Sequence, residues 1–208
     1  AERNANAALV VGIDPGDFPI RFPGDAPLWT ASFGEVDGPR YAREAEALAA
    51  KGKTHPLAGI VLQRQLESRA FELGGCNYEA PGQKVGDFIA GQPSSGFGEV
   101  LPSYKPGVRL GDLAPALPPY AIEAIREALP AFGRKIKGYD MADAVLTGVE
   151  TRTSSPLRIT RGDDCQSLNT RGLYPAGEGA GYAGGILSAG VDGIKVAEAL
   201  ARDVLEQA

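Results

Sequence analysis

The chain has 208 residues, 43% hydrophobic and 23% charged, with 21 basic and 26 acidic side chains for a net charge of −5. That length can bury one domain, or one and a fraction, and the acidic balance argues against a nucleic-acid surface, which needs clustered Lys and Arg to displace counterions. No apolar run approaches the ~20 residues of a bilayer span. The opening AERNANAALVVGI also lacks the regions of a signal peptide.

In chain order, Ala8–Ile13 (ALVVGI) reads as a short β-type run closed by Asp14, Pro15 and Gly16. Pro19 to Pro39 reads as loop, rich in proline, glycine and aromatics without a sustained period. Arg40–Lys51 predicts a helix stopped by Gly52, and Pro56–Leu73 a stronger one ended by Gly74 and Gly75. On that second helix Leu57, Ile60, Val61, Leu66, Ala70, Phe71 and Leu73 fall largely on one side. QKVGDFIAG and GEVLPSYKPGV read as extended, split by a loop at Gln92–Gly96. Pro118–Phe132 predicts another helix, then DAVLTGVETR and PLRIT two strands around Thr153–Ser155, and Leu173–Ala176 a short apolar strand. A last helix is expected over Ile186–Leu205, with Ile186, Ala189, Ile194, Val196, Ala197 and Leu200 apolar. No repeat, heptad or low-complexity tract is present, and the start at Ala1 rather than Met reads as a processed or excised piece.

The isolated chemistry-bearing residues mostly have plain explanations. Cys76 and Cys165 form no C-x-x-C; they read as a small buried residue and a loop residue, and a reducing cytoplasm is the expected setting. His55, the only histidine, precedes Pro56 at a helix start, where a capping or surface role is expected. Asp163 and Asp164 have no His or Cys cluster beside them and read as solvated loop, with no metal expected. Tyr104 and Tyr182 could stack on a ligand or serve as core or rim aromatics. The segment Glu150, Thr151, Arg152, Thr153, Ser154, Ser155 concentrates charge and hydroxyls between two expected strands. It fits either a polar hairpin or a substrate-facing edge, with Arg152 or Arg158 offering a donor fork to a carboxylate.

The sharpest feature is the run GLYPAGEGAGYAGGILSAGVDGIKVAEAL, in which Gly179, Gly181 and Gly184 satisfy G-x-G-x-x-G. Glycines admit close backbone approach to a ligand, and a helix start carries partial positive charge. An opening dinucleotide turn, however, needs a second strand and an acidic residue ≈ 20 positions on. After Gly184 the residues read as one helix, so this is a closing strand and helix of a fold rather than an opening one. Glycines that only let a helix pack closely on a strand remain the competing explanation. Glu178, between two glycines at the exit of an apolar strand, sits where a polar ligand meets the carboxyl end of a parallel sheet.

With TRGLYPAGEGAGYAGGILSAGVDGIKVAEAL in view, the chain resembles the C-terminal segment of large bacterial FAD-dependent dehydrogenases of the two-dinucleotide-binding flavoprotein group. The resemblance extends through ALVVGI, RQLESRAFELGGCNYEAPGQKVGDFI, GEVLPSYKPGV, ALPPYAIEAIREALPAF and AVLTGVETRTSSPLRI, and skips the stretch from about Pro19 to His55. It implies a mixed α/β fold: an inserted substrate or cap domain over residues 1–142, then 143–208 as the last strands and helix of a Rossmann-like FAD domain whose N-terminal half is absent. It implies that Glu178 holds the ribityl chain, with Gly177, Gly179, Gly181 and Tyr182 in the same turn and Gly184, Gly185 and Ile186 at the flavin's pyrimidine edge. Glu150, Thr151, Arg152 and Arg158 become substrate-face candidates; no catalytic acid or base is indicated. The implied partners are the missing FAD-binding half and a small-molecule substrate, with no nucleic acid or membrane. Apolar surface bared by the missing half would favour self-association. The isolated chain is expected to hold no FAD and to be inactive. The reading from another class is a self-contained interaction domain whose glycine turn is a packing device.

Overall fold

The structure, a computed structural model, describes residues 7–15, 18, 26–151, 154–155, 157 and onward to 206. It is mixed α/β: among the described residues, five α-helices and one small three-stranded sheet. Two compact units divide the chain, Ala1–Thr151 and Arg152–Ala208. No helix among the described residues is long and apolar enough to cross a membrane.

The N-terminal unit is built on two apolar clusters. Helix α1 (Ala26–Ala49) breaks at Gly34, whose φ of 80° and ψ of 175° are non-helical. The two arms meet where Gly38 lies against the backbone of Trp29 and Thr30, a contact that leaves no room for a Cβ. The expected loop from Pro19 to Pro39 is therefore corrected over its described part: from Ala26 it is helical, and Gly34 and Pro39 had masked the 3.6-residue period. The end is as expected, with Gly52 in the left-handed region and its N–H donating to Ala49 O at 2.9 Å. Helix α2 (Ala58–Leu73) packs Val61, Leu62 and Leu66 against Trp29, Ala42 and Ala45. His55 is buried rather than on the surface; its Nδ1 accepts the Leu57 N–H at 3.1 Å, and its ring meets Trp29 edge-on at 4.9 Å.

The second cluster joins Val85, Phe88, Leu113, Ile122 and Leu129. Strand β1 (Ala80–Lys84) is central, with β2 (Val108–Leu110) parallel on one side and β3 (Val145–Thr147) antiparallel on the other. QKVGDFIAG is extended only at its start, since Val85–Ala90 forms the short helix α3. GEVLPSYKPGV likewise reaches a strand only at its final valine. Helix α4 (Pro119–Gly133) turns Ala121, Ile122 and Leu129 inward. Gln83, 0% exposed, is satisfied at both ends: Nε2 donates to Gln92 O at 2.7 Å, and Oε1 accepts from Leu113 N at 2.8 Å. Ala8–Ile13 forms no strand: Leu9 packs on the second cluster, but Val10 is 65% exposed and no neighbour among the described residues completes a ladder. Cys76 is exposed and Cys165 half-buried, both with left-handed φ (59° and 63°), so neither is a core residue.

The C-terminal unit pairs irregular chain with one long helix, α5 (Ile186–Glu206). The strands expected at PLRIT and Leu173–Ala176 do not form among the described residues; regular pairing shrinks to one bridge, Arg161 to Ser167. Short extended segments need a partner for their backbone groups, and here they find turn and side-chain partners instead.

Candidate functional site

The glycine turn rests on the segment before it. Ile159 N donates to Ala180 O at 3.2 Å and Arg158 Nε to Gly181 O at 3.1 Å. Gly181 has φ +81° and is pressed so close that a Cβ would fall 2.6 Å from Leu157 O, so glycine is required there on both counts. Within the turn, Gly181 N donates to Glu178 O at 2.9 Å and Tyr182 N to Gly177 O at 3.0 Å. A Cβ at Gly179 would meet open space, so that glycine is not a packing requirement. Glu178 projects from the turn with an exposed side chain. The expected sheet edge beneath it is absent, because Leu173–Ala176 is irregular among the described residues.

Helix α5 follows directly. Gly185 N donates to Ser188 Oγ at 3.1 Å, and the same hydroxyl donates to Gly185 O at 2.9 Å, which caps the helix start. The first-turn N–H groups of a helix lack intrahelical acceptors and attract negative charge. Ile186, 93% exposed, and Leu187, 85% exposed, flank that start. The helix turns few apolar residues inward: Val196 and Asp192 are buried, while Val191, Ile194, Val204 and Leu205 join Ile186 and Leu187 outside. The apolar positions read from the sequence thus mostly face outward. Ile186, Ile194 and Leu200 are exposed, and of the named positions Val196 is buried and Ala189 half-buried.

Two residues to which the sequence assigned no role organise this unit. Arg161 meets Asp192 through two parallel hydrogen bonds, Nη2 to Oδ1 at 2.5 Å and Nη1 to Oδ2 at 3.0 Å. Arg161 Nη1 also donates to Pro175 O at 2.7 Å, and Asp192 Oδ2 accepts the Gly177 N–H at 2.8 Å. The Arg161 guanidinium lies 3.7 Å from the centre of the Tyr182 ring, and the Tyr182 hydroxyl accepts the Arg161 backbone N–H at 2.9 Å. Hydrogen bonds from Arg161 and then from Gly177 N–H hold the Asp192 carboxyl down to about 2, and the same pairing raises the Arg161 pKa. Farther along α5, Tyr174 Oη donates to Asp203 at 2.6 Å, a bond that pushes the phenol up to about 12. A carboxylate one turn before Val196 on an otherwise amphipathic helix was the available signal for Asp192. Its cation lies 31 positions away, beyond any local pattern.

The remaining candidates divide. Gly177, Glu178, Gly179, Gly181, Tyr182, Gly184, Gly185 and Ile186 belong to one unit, as does Arg158, which is committed to Gly181 O and sits 4.9 Å over Tyr182. Glu150 and Thr151 belong to the other. There Thr151 Oγ1 donates to Glu67 at 3.1 Å, and its carbonyl accepts from Gln63 Nε2 at 3.0 Å. Arg152 lies outside the described residues. Tyr104 is a rim aromatic whose hydroxyl donates to Tyr78 O at 3.2 Å. An open cleft in the N-terminal unit, lined by Leu28, Ser32, Val61, Arg64 and Arg69 among others, contains none of the candidates.

Comparison with known proteins follows the same lines. A family profile described as "FAD-dependent protein, C-terminal domain-like" matches residues 43–153, just over half of the chain. It begins inside the stretch where no resemblance was read. An uncharacterized protein of Clostridium beijerinckii is 47% identical over 195 residues, which cover 94% of this chain and 30% of that protein. The chain thus spans under a third of the length of this curated relative, and the match runs through both units.

Proposed function

Because the chain belongs to the FAD-dependent protein C-terminal domain-like family, we propose that it is the C-terminal portion of an FAD-dependent oxidoreductase. Residues 1–142 would form an inserted substrate or cap domain, and 143–208 the closing segment of a Rossmann-like FAD domain. The observation that carries this reading is the exposed carboxylate of Glu178 on a tightly held glycine turn that runs straight into the start of α5.

The donors and acceptors fit one end of the cofactor. A carboxylate accepts hydrogen bonds from sugar-alcohol hydroxyls. A helix start offers N–H dipoles to the N1/O2 edge of reduced flavin, where such placement contributes ~0.3–1 kcal/mol when exposed and up to ~2 kcal/mol when partly buried. Glu178 would hold the ribityl chain, and Gly184, Gly185 and Ile186 would line the pyrimidine edge. Bound FAD supplies hydride or electron transfer; these residues bind and orient it and favour its anionic form. Arg158, Glu150, Thr151 and Arg152 stay proposed for the substrate side, the substrate being a small molecule. The packing-device alternative accounts for Gly181 but not for Gly179, which faces open space, and the family disfavours it.

The length of the relative supports a larger parent polypeptide. Its preceding segment would supply the strand, G-x-G-x-x-G turn, helix and ribose-binding acid. The exposed apolar face of α5 suits coverage by that segment. The test is flavin uptake. The parent polypeptide should purify yellow and the 208-residue chain nearly colourless, and Glu178→Ala should weaken FAD binding in the parent. A parent that takes up no FAD on reconstitution would sink the proposal.

A further inference from the structure

We infer that Arg161, Asp192 and Tyr182 are positioning residues that fix the Glu178 turn and the start of α5 in one mutual arrangement; this rests on the flavoprotein reading above. The residues around Glu178 are held one after another while its own side chain is left outward. Pro175 O is taken by Arg161, Gly177 N–H by Asp192, Ala180 O by Ile159 N–H, and Gly181 O by Arg158. Tyr182 closes the turn beneath the Arg161 guanidinium.

Asp192 is the common member. It lies on the inward face of α5, and its Oδ2 accepts both from Arg161 and from the turn at Gly177. A single carboxylate therefore ties the backbone beside Glu178 to the helix whose start forms the other half of the proposed flavin contact. Two ligand groups on separate elements bind one rigid molecule well only if their separation is set beforehand, since ordering them on binding weakens affinity. The planar Arg161 fork fixes direction as well as distance, which an apolar contact would not.

The test compares Asp192→Asn, Arg161→Gln and the double variant with Val196→Ala, which loosens the seating of α5 without touching the turn. In the parent polypeptide, FAD affinity and the visible circular dichroism of bound flavin are measured at matched loss of thermal stability. Asp192→Asn and Arg161→Gln are each expected to weaken FAD binding by roughly tenfold and to alter the dichroism, with the double variant no worse than either. Val196→Ala should leave both readouts unchanged. Equal weakening by Val196→Ala, or no change in Asp192→Asn, overturns the inference. Separately, amide hydrogen exchange on the 208-residue chain, which needs no flavin, should quicken at Gly177, Gly181 and Tyr182 in Asp192→Asn; unchanged exchange there refutes the clamp. A wild-type parent that binds no FAD would defeat the flavoprotein reading, and the exchange result would still decide whether the clamp exists.

Discussion

The two units are held together by different physics. Ala1–Thr151 contains two clusters of buried apolar side chains around Trp29 and Phe88. Among the described residues of Arg152–Ala208 the buried apolar side chains are Pro175, Ala180 and Val196, and the unit's order comes from Arg161–Asp192 and Tyr174–Asp203. Its large apolar side chains lie instead exposed, along α5 and at Leu157, Ile159, Leu168 and Leu173. Apolar burial is the main favourable contribution to folding, whereas a buried ion pair fixes geometry with little net gain. A unit ordered by polar contacts keeps an apolar face outside, the face that the proposed preceding segment would cover.

The contrast can be broken from either side. Leu129→Ala should cost the N-terminal unit ~2–5 kcal/mol through the cavity it leaves, read from Trp29 fluorescence in urea. Exchange in the Gly177–Tyr182 turn should hardly move. Arg161→Gln should do the reverse. It leaves the Asp192 carboxylate without its cation and costs the C-terminal unit on the order of 3 kcal/mol, visible in exchange along α5 at an unchanged Trp29 midpoint.

Titration sharpens the same point. Asp192 is depressed to about 2, so its contribution is complete above the ordinary carboxylate value and is lost as pH falls from about 4 toward 2. Tyr174 is raised to about 12, so its contribution is complete below the ordinary phenol value and is lost as pH rises from about 10 toward 12. Exchange measured against pH should show the C-terminal unit loosening at both ends, and Asp192→Asn should abolish the acid limb alone. The smallest effect is expected on the outer face of α5. Ile186→Ser and Ile194→Ser should each change the stability of this chain by less than about 0.5 kcal/mol while reducing binding of a hydrophobic dye.

What could be read from the sequence follows this division. Helices α2 and α4 were legible because their apolar periodicity is the surface they bury. The extent of α5 was legible for the same reason, but its orientation was not, since periodicity names an apolar face without saying what covers it. The glycine turn was legible from its spacing, and the strand before it was not, because a strand exists only with a partner. Arg161 and Asp192 were invisible as a pair. Their meeting is set by tertiary structure across a loop of irregular chain. Helix α1 was missed where Gly34 and Pro39 cut it into arms too short to show a period.

That break in α1 also bears on how the chain acquires its shape. The arms on either side of Gly34 touch at Thr30 and Gly38, residues close together in the sequence. A contact of such low order closes only a short loop, so it forms at small entropic cost and early relative to pairings such as β1 with β3. Helix α1 is thereby a local hairpin around Trp29, available early as a surface against which α2 packs.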